Sequence, residues 1–268
     1  MAIHRDDSGK RWVEVKVEVP GSPDEVWRAI ATDKGISSWF VPTRTEYDSD
    51  GKPVKLICDF GPGMESVSKV TNWNPPHLLE AESKDLGEDA PSIATQWIVE
   101  AKDGNVCVVR VVHSLFASTD DWDNQLEGWE GGWPSFFRLL RLYLAHFPDQ
   151  DSALLQHSAF LGKPRDAAWK KLTTALGFNA PVLGERCDSS GSAPALGGIV
   201  EQMGDDAYHE ELLIRLDRPA PGIAHLFAME MGEQVMLSLR FYLYGDTATV
   251  TKDQEEPVWQ SWISEQLS

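Results

Sequence analysis

The residues best suited to hold a ligand are aromatic side chains spread over several separate parts of the sequence. Tryptophan is frequent, with 11 copies in 268 residues. Such side chains could line a cavity and hold a flat or apolar molecule by stacking and by burial of its surface. The alternative is that they only fill a hydrophobic core. The aromatic candidates are Trp39, Phe40, Phe60, Trp73, Trp97, Trp129, Trp133, Phe136 and Phe137.

One histidine belongs with these candidates. His113 lies in the apolar run 106–116 and shares its phase of alternation with Val109 and Val111. Successive side chains of a strand point to opposite faces, so this phase predicts an inward-facing imidazole. A buried imidazole could hydrogen-bond to a ligand or act as an acid or base, and the alternative is a hydrogen-bonded core histidine. Val109, Val111 and Leu140, which lies in a later helical segment, complete the predicted ligand contacts.

Other reactive side chains give weaker signals. Cys58 and Cys107 fall on the apolar phase of their strands, which is typical of inert buried thiols. Asp120, Asp121 and Asp123 open a helical segment, where acids complement the helix dipole without any metal. The sequence has no C-x-x-C, H-E-x-x-H or G-x-S-x-G motif and no phosphate-binding G-K-[ST]. We therefore predict no catalytic residue, no metal site and no cofactor.

The charge balance excludes some partners. The chain has 24 Lys and Arg against 42 Asp and Glu, a net charge of −18 at pH 7. Such a charge repels phosphate, so we expect no nucleic acid partner and no anionic membrane surface. No apolar run approaches the roughly 20 residues of a spanning helix, which predicts no membrane insertion. Three scattered cysteines, an odd number, fit reduced thiols and a cytoplasmic protein.

Alternating hydrophobicity predicts strands through much of the first 120 residues. KRWVEVKVEV (10–19) alternates apolar and charged residues, and Ser22, Pro23 and Glu25 then form the sequence of a capped helix start. A short second helix is expected at 34–39. Further strands are expected at 43–47, 54–60, 66–73, 78–83, 93–101 and 106–116, with turns at 50–51 and 103–105.

The periodicity then changes to three- and four-residue steps, which predicts a long amphipathic helix over about 120–146. Gly131, Gly132 and Pro134 predict a kink or a late start near Trp133.

Residues 151–268 repeat this order in a shorter form. Helices are predicted at 163–176 and 255–267, and KPRDAAWKKLTTALG parallels SPDEVWRAIAT of the first part. We interpret this as an internal duplication, with domains at 1–150 and 151–268 and the second copy degenerate. The predicted strands of the second part are 155–160, 183–187, 198–203, 207–216, 224–231 and 234–244.

The segments VEVPGSPDEVWRAIATDKGISSWF and GWPSFFRLLRLYLAHFP resemble the SRPBCC superfamily, also called START or Bet v 1-like. Within it they are most similar to the branch named for the activator of heat-shock-protein-90 ATPase. The resemblance covers about residues 10–147 and is weak in the second part. It implies an α+β helix-grip fold, in which a curved antiparallel sheet wraps a long C-terminal helix and leaves a cavity. Fold alone does not choose among the functions of such proteins.

We expect non-catalytic binding of a small hydrophobic ligand, of the lipid, polyketide or aromatic metabolite class, in that cavity. The first alternative is a protein-interaction module of the chaperone-cofactor type, which predicts a filled interior and an exposed apolar or acidic patch. The second is a cyclase- or hydrolase-type enzyme, which needs at least two titratable groups converging in the cavity. A homodimer is left open.

Overall fold

The alternating valines near the N-terminus form a half-buried strand, as the sequence predicts. Val13 and Val19 are buried, whereas Glu14 and Lys16 between them are exposed. The strand faces its valines inward because their burial is favourable and the charged side chains stay in water.

The computed structural model describes residues 3–61, 63–87, 90–117, 120–178, 180–205 and 209–267. The chain divides into two units, residues 1–149 and 150–268. Each unit has an antiparallel sheet. In the chain order, one or two helices lie between two of its strands and a long helix follows the last strand. The α+β class and the helix-grip fold are therefore confirmed.

The first unit is built on an antiparallel sheet of eight strands among its described residues. The strands are β1 (His4–Arg5), β2 (Lys10–Pro20), β3 (Thr43–Tyr47), β4 (Pro53–Asp59), β5 (Glu65–Asn74), β6 (Leu78–Ser83), β7 (Ile93–Lys102) and β8 (Val106–Phe116). Their order in the sheet is β1-β2-β8-β7-β6-β5-β4-β3, so the early strand β2 pairs with the last strand β8. Both expected hairpins are present, since β3 pairs with β4 and β7 pairs with β8.

Two short helices, α1 (Pro23–Ala31) and α2 (Asp33–Ser37), connect β2 to β3. The predicted capping box is present: the Ser22 backbone N–H donates to Glu25 Oε2 over 2.7 Å, and the Glu25 backbone N–H donates to Ser22 Oγ over 3.4 Å. Helix α2 begins one residue before the predicted 34–39 segment and ends two before its end. Gly35 lets it pass close to α1, because a Cβ there would lie 1.9 Å from the Arg28 carbonyl oxygen.

The last helix of the unit, α3 (Asp123–His146), packs on β2 and β8. It begins three residues later than predicted and runs through Pro134 without the expected late start. A helix interior tolerates proline when packing compensates for the lost N–H bond. Here Leu126 on one side of Pro134 and Leu139 on the other are both fully buried.

The second unit has a comparable strand order. Its elements are β9 (Ser152–Gly162), α4 (Arg165–Leu176), β10 (Arg186–Asp188), β11 (Gly197–Asp205), β12 (His209–Arg218), β13 (Gly222–Met231), β14 (Gln234–Tyr244) and α5 (Ala248–Gln266). The sheet runs β10-β11-β12-β13-β14-β9, so β9 pairs with the last strand, as β2 does in the first unit. Two predicted strand residues, Ala207 and Tyr208, lie outside the described part of the chain.

Two predicted boundaries in this unit are wrong. Helix α5 begins at Ala248 and not at residue 255, because it continues through Pro257 while Ala248 and Trp259 are buried on either side. The strand predicted at 183–187 is reduced to β10, and exposed Leu183 lies before it.

The space between α5 and the sheet of the second unit is filled by large side chains. The Trp259 ring lies tilted at 4.6 Å from Phe241 of β14, and Trp262 lies edge-on at 5.6 Å from Trp259. All three belong to one buried cluster with the leucines of the sheet. None of the helices in the described ranges is long and apolar enough to cross a bilayer.

The capping box yields a stability prediction. We expect Ser22→Ala to lower the free energy of unfolding by about 1 kcal/mol, because it removes the side-chain acceptor at the start of α1. Urea unfolding followed by tryptophan fluorescence measures this change. Ser22→Thr keeps the acceptor oxygen and serves as the control. Equal losses in both variants would contradict the capping role.

Candidate functional site

A cavity of about 760 Å³ lies in the first unit. Its walls come from the segment containing α1 and α2, from strands β4 to β8, and from α3. Eight of the thirteen predicted contact residues line it: Trp39, Phe40, Phe60, Trp97, His113, Trp129, Trp133 and Phe136.

The structure places the other five predicted residues away from the cavity wall. Trp73 instead packs edge-on against Trp27 of α1, at 5.0 Å between ring centres. The remaining four lie further along elements that do reach the cavity, at positions buried behind it. They are Val109, Val111, Phe137 and Leu140.

The aromatic rings of the wall form one connected network. Phe40 stacks on Trp133 at 5.4 Å and meets Phe136 edge-on at 4.6 Å. Trp97 lies edge-on to Trp133 at 5.0 Å and to Trp39 at 6.2 Å. Offset and edge-on arrangements are the favourable geometries for aromatic pairs, so the wall is held in place by its own members.

Trp39 closes one end of this network. Its side chain is fully buried, and its indole N–H donates to the Ala29 carbonyl oxygen over 2.9 Å. A buried indole N–H without an acceptor would be costly. This bond therefore fixes the ring between α1 and the sheet.

Helix α3 contributes a regular stripe to the wall. Its lining residues recur at three- and four-residue steps, which places them on one face of a helix. They are Gln125, Gly128, Trp129, Gly132, Trp133 and Phe136. An added Cβ at Gly128 or Gly132 would meet no atom within 4 Å, so these glycines face open space. This spacing is visible in the sequence, but Gly132 was interpreted only as part of a helix interruption and Gly128 was not singled out.

His113 is hydrogen-bonded on both ring nitrogens. The Trp133 indole N–H donates to Nε2 over 2.6 Å, and Nδ1 lies 2.9 Å from the Thr95 hydroxyl. Burial lowers the pKa of His113 to about 4, because the charged imidazolium is disfavoured away from water. The imidazole is therefore neutral at physiological pH.

The polar part of the site lies on the sheet side. Ser66 and Ser83 both donate to Asp85 Oδ2, over 2.6 and 2.9 Å, and all three line the cavity. Asp85 is exposed, so its carboxylate lies at the rim of the cavity. Thr95 also lines the cavity, between Trp97 and Ile93 on β7. Sequence reasoning missed these hydroxyls, because nothing in the sequence distinguishes a lining serine or threonine from a surface one.

The sequence predicts that the cysteines and the acidic residues near the start of α3 are unreactive. Burial raises the pKa of the Cys58 thiol, which lines the cavity, and also that of Cys107. Asp123, at the start of α3, forms ion pairs with Arg5 and Arg11, each with an N–O distance of 2.5 Å. Within the described ranges no group of three or more His, Cys, Asp or Glu is placed to hold a metal ion.

Comparisons with known proteins agree with this architecture. Residues 11–140 match the sequence profile of the family described as polyketide cyclase / dehydrase and lipid transport. The match lies within the first unit, and the matched family is of the SRPBCC type. The finer resemblance, to the branch of the heat-shock-protein-90 ATPase activator, stays a prediction. No curated protein matches the sequence.

Several solved structures are similar to the chain. DynU16, from the dynemicin biosynthetic locus, is 15% identical with a TM-score of 0.44, over 94% of this chain and 96% of that one. The di-domain ARO/CYC protein BexL, from the BE-7585A biosynthetic pathway, is 12% identical with a TM-score of 0.45, over 96% and 99%. The Aha1 dimer from Colwellia psychrerythraea is 19% identical with a TM-score of 0.38, over 50% and 95%.

The low pKa of His113 predicts how stability depends on pH. An unfolded imidazole titrates near 6.5 and the folded one at about 4, so the unfolded chain binds more protons between these values. Stability is then fully present above about pH 6.5 and falls as the pH drops toward 4, by about 1.4 kcal/mol for each unit of pKa difference. We expect His113→Asn, which cannot titrate, to show a shallower loss.

Urea unfolding at pH 7.0, 5.5 and 4.5 measures this effect. Burial also lowers the pKa of His157 in the second unit, which contributes in the same direction to every variant. The difference between wild type and His113→Asn therefore reports His113. His77→Asn, at an exposed position, is the control and should keep the wild-type slope. Parallel slopes for all three proteins would refute the buried, neutral imidazole.

Proposed function

We propose that the first unit of this polyketide cyclase/dehydrase-type chain binds a small hydrophobic, flat molecule in its cavity without converting it. The observation that carries the proposal is the cavity itself. Its volume of about 760 Å³ falls within the usual range of small-molecule sites, roughly 300–1,000 Å³. Aromatic rings form its walls, and hydroxyls lie at one side.

Burial of the ligand supplies the driving force. Apolar surface removed from water contributes roughly 25 cal/mol per Å², and aromatic contacts add to this when the rings meet offset or edge-on. Trp97, Trp129 and Trp133 present such surfaces to the cavity. Because these rings already hold one another in place, little side-chain entropy is lost when a ligand enters.

The titratable groups favour binding over catalysis. A general acid or base works best with a pKa near the working pH and a free ring nitrogen or oxygen aimed at the substrate. His113 has both nitrogens engaged and a pKa of about 4. The lining carboxylates, Asp85 and Glu65, are exposed, and Glu65 pairs with Arg44 at 3.3 Å.

A protein-interaction role is less well supported. That role predicts a filled interior, whereas the first unit has an open one. In the second unit, Trp259 and Trp262 fill the space between α5 and its sheet, and a smaller cavity of about 400 Å³ lies beside α4.

We also propose that the second unit is a degenerate copy of the first. In each unit the strand before the first helix (β2 or β9) pairs with the last strand, and a long helix ends the unit. The second unit lacks a described counterpart of α2. The cavity of the second unit is smaller, and its described aromatic lining consists of Trp169 and Phe178, so we assign ligand binding to the larger cavity of the first unit.

Filling the cavity tests the proposal. We expect Gly132→Leu to weaken binding of the neutral fluorescent probe N-phenyl-1-naphthylamine at least tenfold, because the new side chain projects into the open space beside Trp133. The same variant should keep or raise the free energy of unfolding, since replacing a mid-helix glycine gains up to about 1 kcal/mol. Probe emission and quenching of tryptophan measure binding.

Glu127→Leu is the matched control. It adds the same side chain to α3 at an exposed position that does not line the cavity. This variant should bind the probe as wild type does. A wild-type protein that binds no apolar probe, or a Gly132→Leu variant that binds it unchanged, would refute the cavity as a ligand site.

A further inference from the structure

We infer that Thr95 is the specificity-determining hydrogen-bond donor of the cavity, held in that role by His113 and Trp133. The ligand class is thereby narrowed to flat apolar molecules that carry a hydrogen-bond acceptor, such as a ring carbonyl. This inference rests on the proposed function and deepens it. It follows from the direction of two consecutive hydrogen bonds, from Trp133 to His113 and from His113 to Thr95.

The first bond sets the direction of the others. An indole N–H can only donate, so the 2.6 Å contact from Trp133 Nε1 makes His113 Nε2 an acceptor. A nitrogen that accepts carries no proton. The one ring proton of a neutral imidazole must then lie on Nδ1.

The second bond follows from this tautomer. His113 Nδ1–H donates to Thr95 Oγ1 over 2.9 Å. The Thr95 hydroxyl therefore uses its oxygen to accept from the histidine, and its own proton is directed elsewhere. Across the described residues, no second side chain or carbonyl takes that proton, and Thr95 lines the cavity.

The surroundings make this donor selective. His113 stacks against Trp133 at 5.6 Å and lies 5.2 Å from Trp129, so the imidazole that holds the Thr95 hydroxyl is itself packed among aromatic rings. In such a medium an unpaired donor is costly and a made hydrogen bond is strengthened. A ligand with an acceptor at this place satisfies the hydroxyl, whereas a purely apolar ligand displaces water from it and leaves it unpaired.

Three rigid tricyclic probes of nearly equal shape test this assignment. Fluorene has no polar group, 9-fluorenone has a carbonyl acceptor, and carbazole has an N–H donor. Quenching of tryptophan fluorescence gives the Kd of each probe for wild type and variants. Because the solvation of a probe in water is the same for every variant, a change in the ratio of two Kd values reports the protein alone.

We expect Thr95→Val to weaken 9-fluorenone binding by roughly three- to tenfold and to leave fluorene binding within twofold. Valine keeps the shape of threonine and lacks the hydroxyl. Thr95→Ser keeps the hydroxyl and should preserve the wild-type ratio. Trp133→Phe keeps a ring but no N–H, which frees His113 to change tautomer, so the preference for the carbonyl probe should shrink. Thermal melting of each variant confirms that it is folded.

The outcomes separate this inference from the proposed function. If fluorene binds but the ratio is unchanged in Thr95→Val, Thr95 is not the donor and the cavity still binds apolar ligands. If wild type prefers carbazole over fluorene and Thr95→Val removes that preference, the hydroxyl serves the ligand as an acceptor and the assigned donor role is overturned. If none of the three probes binds wild type, the proposed function fails and the inference fails with it.

Discussion

The site depends on one packing constraint. Helix α3 packs against the rest of the first unit near both of its ends and faces the cavity between them. At its start, Leu126 packs into a small buried cluster with Val13 and Leu115, and Asp123 pairs with Arg5 and Arg11. Its second half is anchored by buried leucines. Between these anchors the helix presents Gly128 and Gly132 to open space. A helix that buried this stretch too would leave no cavity.

The polar atoms of the site follow from the same constraint. A space walled by aromatic rings penalises any charge, so His113 stays neutral and its two nitrogens are satisfied by Trp133 and Thr95. Carboxylates are kept to the exposed rim, where Asp85 binds two serine hydroxyls. The chain has a net charge of −18, yet the described interior of this cavity is lined by apolar side chains and neutral hydroxyls.

The two units have a related strand order but differ in what occupies the space between the sheet and the last helix. In the second unit, Trp259 and Trp262 occupy the space between sheet and helix, whereas glycines of α3 keep the corresponding space in the first unit open. Burial of indole rings stabilises the filled unit directly. In the open unit the aromatic network supplies much of the packing while leaving room for a guest.

The sequence by itself determined the elements, the α+β class and the inward face of His113, because these depend on local periodicity and on capping residues such as Ser22. Eight of the thirteen ligand contacts predicted from the sequence line one cavity. Only the tertiary structure decided that Trp73 packs on Trp27, that Thr95 meets His113, and that the glycines of α3 face empty space. These facts depend on strand register and on the distance between helix and sheet, which are set by contacts between residues far apart in the chain and leave no local pattern.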